Sequence, residues 1–273
     1  MKSSDILIWR KYYKYKNLFL PIKKFINSLF SKELKDILSN YLIHDKNIHL
    51  IEIGCGNSDW LPYFNLNFGY SVAGLDYEEH ACELAEEKLK KKGVLNYKIY
   101  CGDFFEYYQK IDQKYDILIS FGVVEHFENP SEIIRIFTQY MKADSLIITV
   151  CPNTKGIAMK LQKYIDKRIY NFHKKFSLED LIKFHVDNNI EEIFSGYIEY
   201  MSFNNLDFVN YGIVGLFLKA IIKVLNAPIV YIFYIIKKFF RFNINDRYFS
   251  GSMIFIGRVK NISFSSIISG SNV

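Results

Sequence analysis

The chain has 273 residues, which is enough for one sizeable hydrophobic core and an elaboration of it. Half of the residues are hydrophobic and 23% are charged, a balance that argues against a disordered chain and against a polytopic membrane protein. The formal net charge of +6 fits a weak attraction to anionic membranes or nucleic acid, and a solvated surface explains it equally well.

The cysteines are scattered along the chain and form no CxxC pair. Since zinc and redox sites usually contain such pairs, we expect reduced, mostly buried thiols in a cytosolic protein. The first nine residues carry charges and only a short apolar patch, so no secretory signal is predicted. The four cysteines are Cys55, Cys82, Cys101 and Cys151.

Two features precede the first predicted strand. Residues 9–16 are all aromatic or basic. A helix is predicted from Ser31, because the serine can cap it and Leu34 and Leu38 recur at the helical period.

From residue 49 to 151, short apolar runs alternate with helical patterns. This alternation requires a mostly parallel sheet that helices cover on both faces. We therefore predict an α/β, Rossmann-like fold, whose sheet has seven strands when two later strands are included. The predicted strands are 49–53, 71–75, 96–101, 115–121, 145–151, 190–200 and 252–259. The predicted helices of this part are 59–65, 78–92, 130–141 and 177–188, and the stretch after Asn153 is less regular.

A long apolar insertion, roughly 207–241, precedes the last strand. Pro228 should divide it into two helices, because proline lacks the backbone donor and its ring clashes with the preceding turn. Lys219 and Lys223 interrupt the first helix, and the second uncharged run is only 224–236. Neither run reaches the roughly 18–20 apolar residues that a membrane span needs, so we do not expect a span.

Short motifs close the successive predicted strands, at the edge where open parallel sheets bind ligands. The first strand leads into the turn 54–56 (Gly-Cys-Gly), whose glycines let the backbone approach a ligand closely. Asp76 closes the second strand, where a carboxylate can accept hydrogen bonds from both hydroxyls of a ribose. Asp103 closes the third strand, where a carboxylate can bind an adenine amino group. A role in an ordinary turn would explain either aspartate by itself. It would not explain why both aspartates and the glycine turn lie at the carboxyl ends of successive strands.

These motifs, in this order and spacing, resemble the class I methyltransferases that use S-adenosylmethionine. The likeness covers roughly residues 45–153 and is closest to small-molecule methyltransferases of the ubiquinone-biosynthesis type. Asn-Ser at 57–58 replaces the commoner third glycine. The runs that carry the resemblance are Ile-Glu-Ile-Gly-Cys-Gly (51–56), Gly-Leu-Asp (74–76), Gly-Asp-Phe (102–104) and Val-Val-Glu-His-Phe (123–127).

The resemblance implies where the parts of the cofactor lie. The two glycines would pass under the methionine part and Glu52 would orient their loop. Asp76 would bind the ribose, and Asp103 with the backbone of Phe104 would bind adenine. The predicted residues of the cofactor site are Glu52, Gly54, Cys55, Gly56, Asp76, Tyr77, Asp103, Phe104, Ser120 and Phe121.

Two other functions would use similar motifs. A nicotinamide-dependent dehydrogenase also has a glycine turn and a ribose-binding acid, but it needs a third glycine where this chain has Asp59. A protein that binds S-adenosylmethionine without turnover would keep every motif, because the motifs indicate cofactor binding far better than catalysis.

Methyl transfer to a hydroxyl or amine requires alignment of donor and acceptor and can require a base. His126 is the first candidate, because it follows the carboxyl end of a strand and has an ordinary pKa of about 6.5; packing within its loop is the alternative. His173 is the second, with a surface position as the alternative. No metal site is predicted, since the positions one helical turn from the Glu125–His126 pair are Gly122 and Asn129.

The resemblance also implies that residues 9–16 fold over the cofactor as a lid; packing on the sheet edge explains them equally well. No nucleic-acid partner is expected, because no comparable basic patch continues elsewhere. The predicted parts are an N-terminal lid and helix (1–44), a methyltransferase core (45–202 with 248–260), an apolar helical insertion (203–247) and a tail (261–273).

The insertion suggests the nature of the acceptor. Residues 208–240 either cap the active site and line an apolar pocket or lie at the membrane surface, with the lysines and Arg241 facing lipid head groups. Core packing or a dimer interface is the plainer alternative. We therefore expect a cytoplasmic methyltransferase, free or peripheral to the membrane, that methylates a small or lipid-linked acceptor at oxygen.

Overall fold

The computed structural model describes residues 31–240 and 244–260. Its centre is a seven-stranded sheet of order β3-β2-β1-β4-β5-β7-β6, which confirms the predicted fold class. Strand β7 is antiparallel to both of its neighbours, and the remaining pairs are parallel. The strands are β1 His49–Ile53, β2 Ser71–Asp76, β3 Tyr97–Cys101, β4 Tyr115–Phe121, β5 Met141–Pro152, β6 Ile190–Tyr200 and β7 Ser250–Val259.

Helices cover both faces of this sheet. The helices are α1 Lys32–Tyr41, α2 Trp60–Phe68, α3 Glu79–Lys91, α4 Phe104–Tyr107, α5 Pro130–Thr138, α6 Ile157–Ile165, α7 Lys167–Phe172, α8 Leu178–Val186 and α9 Gly212–Phe240. Successive side chains of a strand point to opposite faces. Leu50 of β1 therefore packs in the core that α1, α2 and α3 cover, whereas Ile51 packs in the core that α5 and α8 cover.

Several local predictions differ from the structure. Helix α5 ends at Thr138, and strand β5 begins earlier than predicted, at Met141. The irregular stretch after Asn153 contains α6 and α7. Ser31 occupies the N-cap position of α1, but its side chain makes no capping hydrogen bond. The predicted lid (9–16), Arg241 and the tail (261–273) lie outside the described residues.

The apolar insertion forms one helix, so the predicted break at Pro228 is wrong. Helix α9 is 29 residues long and continues through Pro228. The proline is exposed, whereas Asn226 and Ala227 beside it are buried against the domain. Packing of the helix on the domain thus holds it through the proline. By length and composition alone, α9 could cross a membrane, in contrast to the shorter runs that the sequence predicted.

The carboxyl ends of the central parallel strands meet at one edge of the sheet. Ile53, the last residue of β1, pairs with Leu75 of β2 and with Ser120 of β4. Asp76 pairs with Cys101 at the end of β3. The turn after β1, Asp76 and the loop after β4 therefore lie side by side, as the sequence predicts.

A histidine outside that edge contributes to the packing of the second half of the sheet. His185 of α8 is fully buried, and its ring stacks on Phe255 of β7 with 3.9 Å between ring centroids. The Nδ1–H group donates to the Leu181 carbonyl at 2.8 Å, because a carbonyl can only accept. Nε2 then accepts from the Thr149 hydroxyl at 2.9 Å. Burial lowers the pKa of His185 to about 4.

The neutral state of His185 makes stability depend on pH. The unfolded chain binds a proton at this histidine below pH 6.5, whereas the folded chain does so only near pH 4. Acidification through this window should therefore lower the free energy of unfolding, by up to about 3 kcal/mol from this group. Urea titrations at pH 7, 6 and 5 should show that the free energy of unfolding falls less with acidification in His185→Gln than in the wild type. His80→Gln, at an exposed position, should keep the wild-type slope; equal slopes in all three proteins would contradict the assignment.

Candidate functional site

The turn after β1 is held between two neighbouring strands. Gly54 and Gly56 have φ angles of 71° and 47°, a region that favours glycine. The Gly54 amide donates to the Leu75 carbonyl at 2.8 Å. A Cβ added to Gly54 would lie 2.5 Å from Cγ2 of Val123 in the loop after β4. Glycine is therefore required at position 54, because its φ angle disfavours other residues and Val123 leaves no space for a side chain.

Asp76 ties this turn to the end of β2. One carboxylate oxygen accepts from the Gly56 amide at 2.7 Å, and the other accepts from the Glu78 amide at 3.0 Å. Burial raises the pKa of Asp76, and these amide hydrogen bonds oppose that rise. The amides of Gly56, Tyr77 and Glu78 do not fill the roughly four acceptor positions of a carboxylate, so Asp76 can still accept from a ribose hydroxyl.

Glu52 holds the second half of the same loop. Its carboxylate accepts from the Ser58 hydroxyl at 2.6 Å. The Ser58 oxygen in turn accepts from the Trp60 amide at 2.9 Å, where α2 begins. Glu52 is buried, so this chain of hydrogen bonds fixes the path from the glycine turn into α2. The contact agrees with the orienting role that the resemblance implies.

The predicted adenine site lies at the end of β3. Asp103 is exposed, and its carboxylate accepts from the Phe105 amide at 3.0 Å as the N-cap of α4. The Phe104 carbonyl accepts from the Tyr140 hydroxyl at 2.6 Å. The Phe104 ring stacks on Phe105 with centroids 4.5 Å apart and meets the Phe127 ring edge-on. An apolar aromatic wall therefore stands beside a solvent-accessible carboxylate.

The other predicted residues of the cofactor site surround the turn. Ser120 is fully buried, and its Oγ has no hydrogen-bond partner within the described part of the chain. The Phe121 ring stacks on Trp60 with centroids 4.9 Å apart. Tyr77 follows Asp76 and is half-buried. Cys55 is buried, which raises the pKa of its thiol and suits a packing role.

These observations fit S-adenosylmethionine. Three features lie together at the carboxyl edge of the sheet. They are glycine backbone with no space for a side chain, a carboxylate that can accept a further hydrogen bond, and a buried hydroxyl that has no hydrogen-bond partner among the described residues. Gly54, Asp76 and Ser120 would hold the methionine part and the ribose.

Beyond the cofactor residues, the loop after β4 and the segment after α7 bring Glu125, His126 and His173 together. The Glu125 Oε1 and His126 Nε2 atoms are 3.7 Å apart, and the His126 and His173 ring centroids are 4.8 Å apart. The Lys174 amide donates to the Glu125 carbonyl at 2.6 Å, which joins the segment after α7 to this loop. His173 is half-buried rather than the surface residue that its lysine neighbours suggested.

The three side chains form a mostly neutral cluster. Burial raises the pKa of Glu125 to about 8 and lowers the pKa of His126 well below its ordinary value, so their contact is not an ion pair at neutral pH. Burial also lowers the pKa of His173. The Nδ1–H group of His173 donates to the Ile169 carbonyl at 2.8 Å. The lone pair of His173 therefore lies on Nε2.

The two histidines line a cavity of about 350 Å³. Burial lowers the pKa of Lys175, whose ammonium lies 4.0 Å from the centre of the Tyr170 ring. Lys174 pairs with Glu128 at 2.9 Å. The cavity is lined by His126, Phe127, Glu128, Asn171, Phe172, His173, Lys174 and Lys175. It can hold a small acceptor group beside the imidazoles.

The same cluster has the donor atoms of a metal site. One ligand atom from each of Glu125, His126 and His173 lies within 4.8 Å of the others. The positions one helical turn from the Glu125–His126 pair offer no third ligand, because His173 reaches the pair from another segment. Folding, rather than local spacing, brings the third group into place.

Comparisons with known proteins identify the family. The chain matches the model of a methyltransferase-domain family over residues 44–191, more than half of its length. A Papaver bracteatum protein described as an (S)-tetrahydroprotoberberine N-methyltransferase is 27% identical over 99 residues. That match covers 36% of this chain and only 27% of the relative.

Solved structures share the fold. A Galdieria sulphuraria protein described as a sarcosine dimethylglycine methyltransferase has a TM-score of 0.57 at 14% identity, covering 87% of this chain and 86% of that one. The geranyl diphosphate C-methyltransferase of Streptomyces coelicolor A3(2), in complex with Mg²⁺, geranyl diphosphate and S-adenosyl-L-homocysteine, has a TM-score of 0.56 at 6% identity, covering 84% and 80%. With the family match and the geometry of the glycine turn, the conclusion follows that this chain belongs to the class I methyltransferase-domain family, whose cofactor is S-adenosylmethionine.

Proposed function

We propose that this protein transfers the methyl group of S-adenosylmethionine to a hydroxyl of a small or lipid-linked acceptor. The observation that carries this proposal is the pair His126 and His173, which lines a cavity next to the carboxyl edge of the sheet. When bound, the cofactor supplies a methyl carbon already activated by its sulfonium. The residues of the chain then have to orient the acceptor, exclude water and remove a proton.

The histidine pair can remove that proton. A hydroxyl is a poor nucleophile while it keeps its proton, so a base beside it helps the transfer. Burial keeps both imidazoles neutral at neutral pH, and the fixed Nδ1–H of His173 leaves Nε2 as the basic atom. A neutral amine acceptor carries its own lone pair and therefore has less need of such a base. The relatives named above include N- and C-methyltransferases, so the choice of oxygen rests on this base.

A lipid-linked acceptor would suit the apolar helix. Many side chains of α9 are both large and exposed, as the sequence prediction of a membrane-surface segment requires. Lysine side chains beside the cavity would suit a phosphate of a lipid carrier. We therefore place the protein in the cytoplasm at the membrane surface, with no nucleic-acid partner.

The cofactor site can be tested through Asp76. Asp76→Ala removes the hydrogen bond from the Gly56 amide that holds the turn, together with the acceptors for the ribose, so S-adenosylhomocysteine should bind at least about 100-fold more weakly. Isothermal titration calorimetry measures this, with Glu79→Ala at an exposed neighbouring position as the control. Unchanged affinity in a folded Asp76→Ala protein would reject the assignment.

The base can be tested through both histidines. With acceptors that carry a free hydroxyl, such as a polyprenyl-linked monosaccharide or a long-chain phenol, His126→Asn and His173→Gln should each slow release of S-adenosylhomocysteine by about 10²–10⁴-fold. The affinity for S-adenosylhomocysteine should not change, and His80→Gln should behave as the wild type. Because the lowered pKa values keep the bases neutral, the wild-type rate should hold below pH 6.5.

Two outcomes would contradict the proposal. If matched amines are methylated and hydroxyls are not, the acceptor atom is wrong. If S-adenosylhomocysteine binds but no acceptor gives turnover, the chain is a binding protein on the methyltransferase fold.

A further inference from the structure

Helix α9 has an inverted distribution of polar and apolar residues. Its polar side chains face the domain: Lys219 pairs with Asp207 at 2.8 Å, and Lys237 pairs with Glu33 at 2.5 Å. Asn226, between them, is buried. The sequence-based expectation that the lysines face lipid head groups is therefore wrong for these two.

The opposite face of α9 is apolar and exposed. Residues at helical spacing along it are between about 41% and 76% exposed, including Val214, Phe217, Ile221, Leu225, Ile232 and Phe239. At 1.5 Å per residue, the 29-residue helix gives a strip about 43 Å long. A soluble monomer rarely exposes such a strip to water, so this outer face requires an apolar partner.

The charges beside α9 favour a lipid surface over a second copy of the chain. Ile165 of α6 and Ile222 of α9 both pack against the same small core, which contains Ala158, Leu206 and Phe208. Four basic residues on α6 and α7 are exposed, namely Lys160, Lys163, Lys167 and Arg168. A two-fold dimer through α9 would bring this basic group near its own copy, whereas anionic head groups would neutralise it.

Three contacts hold α9 against the domain along its length and therefore fix the direction of the helix axis. Lys219 binds Asp207 near the N-terminal end. Asn226, in the middle, accepts from the Phe203 amide at 2.8 Å. Tyr234, near the C-terminal end, donates to Asp36 of α1 at 2.6 Å. A helix held to the domain along its whole length cannot cross a bilayer without breaking these contacts.

We propose that the outer face of α9 lies in the hydrocarbon of an anionic bilayer, with the helix axis parallel to the membrane and the lysines of its inner face bound to the domain. The N-terminal end of α9 is connected to the wall of the acceptor cavity. The Asn210 amide, just before α9, donates to Asp166 at the start of α7, and α7 ends at Phe172 in the cavity wall. That the bilayer delivers the acceptor rests on the proposed function; the docking itself does not.

Vesicle flotation tests the docking without cofactor or acceptor. The full chain should float with vesicles of phosphatidylglycerol and phosphatidylcholine, and less with phosphatidylcholine alone. The double variant Phe217→Glu/Leu225→Glu should bind at least about tenfold more weakly, because two charges would enter hydrocarbon. Leu95→Glu, at an exposed apolar position elsewhere, should bind as the wild type. Thermal melting of each protein verifies folding.

The other outcomes overturn the proposal. If the wild type does not float, or if the double variant floats as well as the wild type, the outer face does not bind lipid. A dimer in light scattering that the double variant dissociates, without flotation of the wild type, would assign the face to a second copy. Because no methyl transfer is measured, a failure here leaves the proposed reaction standing, and the reverse also holds.

Nitroxide labels test the orientation on the same vesicles. Labels at Ile221→Cys and Ile232→Cys, in a chain with exposed Cys101 replaced by serine, should report equal depths in the bilayer. Depths that differ by most of the 16 Å between the two positions, about 1.5 Å for each of eleven residues, would mean that α9 crosses the membrane.

Discussion

The hydrogen bond between the Asp76 carboxylate and the Gly56 amide holds together the edge on which the cofactor site depends. At 2.7 Å it joins the end of β2 to the turn after β1, within a buried environment that penalises a charged carboxylate. The penalty is offset only where polar groups satisfy the carboxylate. The backbone amides of Gly56, Tyr77 and Glu78 do so in part, and the hydroxyls of a ribose would add to them. The site therefore has a physical reason to bind a ligand and not only a shape that admits one.

The acceptor side follows a different principle, since it is built from segments distant in the chain. The loop after β4 supplies His126 and the segment after α7 supplies His173, and one backbone hydrogen bond from Lys174 to Glu125 joins them. A buried carboxyl and two partly buried imidazoles avoid the cost of isolated charge by staying neutral. Neutral imidazoles keep a lone pair that can accept a proton, so the packing that holds the cluster neutral leaves it able to remove one, although the same burial makes it a weaker base.

The sequence predicts the sheet and the cofactor motifs because both depend on local pattern. Buried strands read as continuous apolar runs, and glycine and aspartate at their ends mark one edge of a parallel sheet. The proximity of His173 to His126 could not be predicted, because it depends on how α6 and α7 turn back over the sheet. The helix break expected at Pro228 is absent for a similar reason. Helix propensity forbids a proline there, but tertiary contacts on both sides of it override that preference. The inward direction of Lys219 and Lys237 depends on partners, Asp207 and Glu33, that only folding supplies.

A crystal structure of the complex with S-adenosylhomocysteine tests the central claim most directly. The account predicts that both ribose hydroxyls donate to the Asp76 carboxylate, that the amino-acid tail lies against the backbone of residues 54–56, and that the sulfur faces the cavity lined by His126 and His173. A ligand that binds elsewhere, or one whose ribose makes no contact with Asp76, would contradict it.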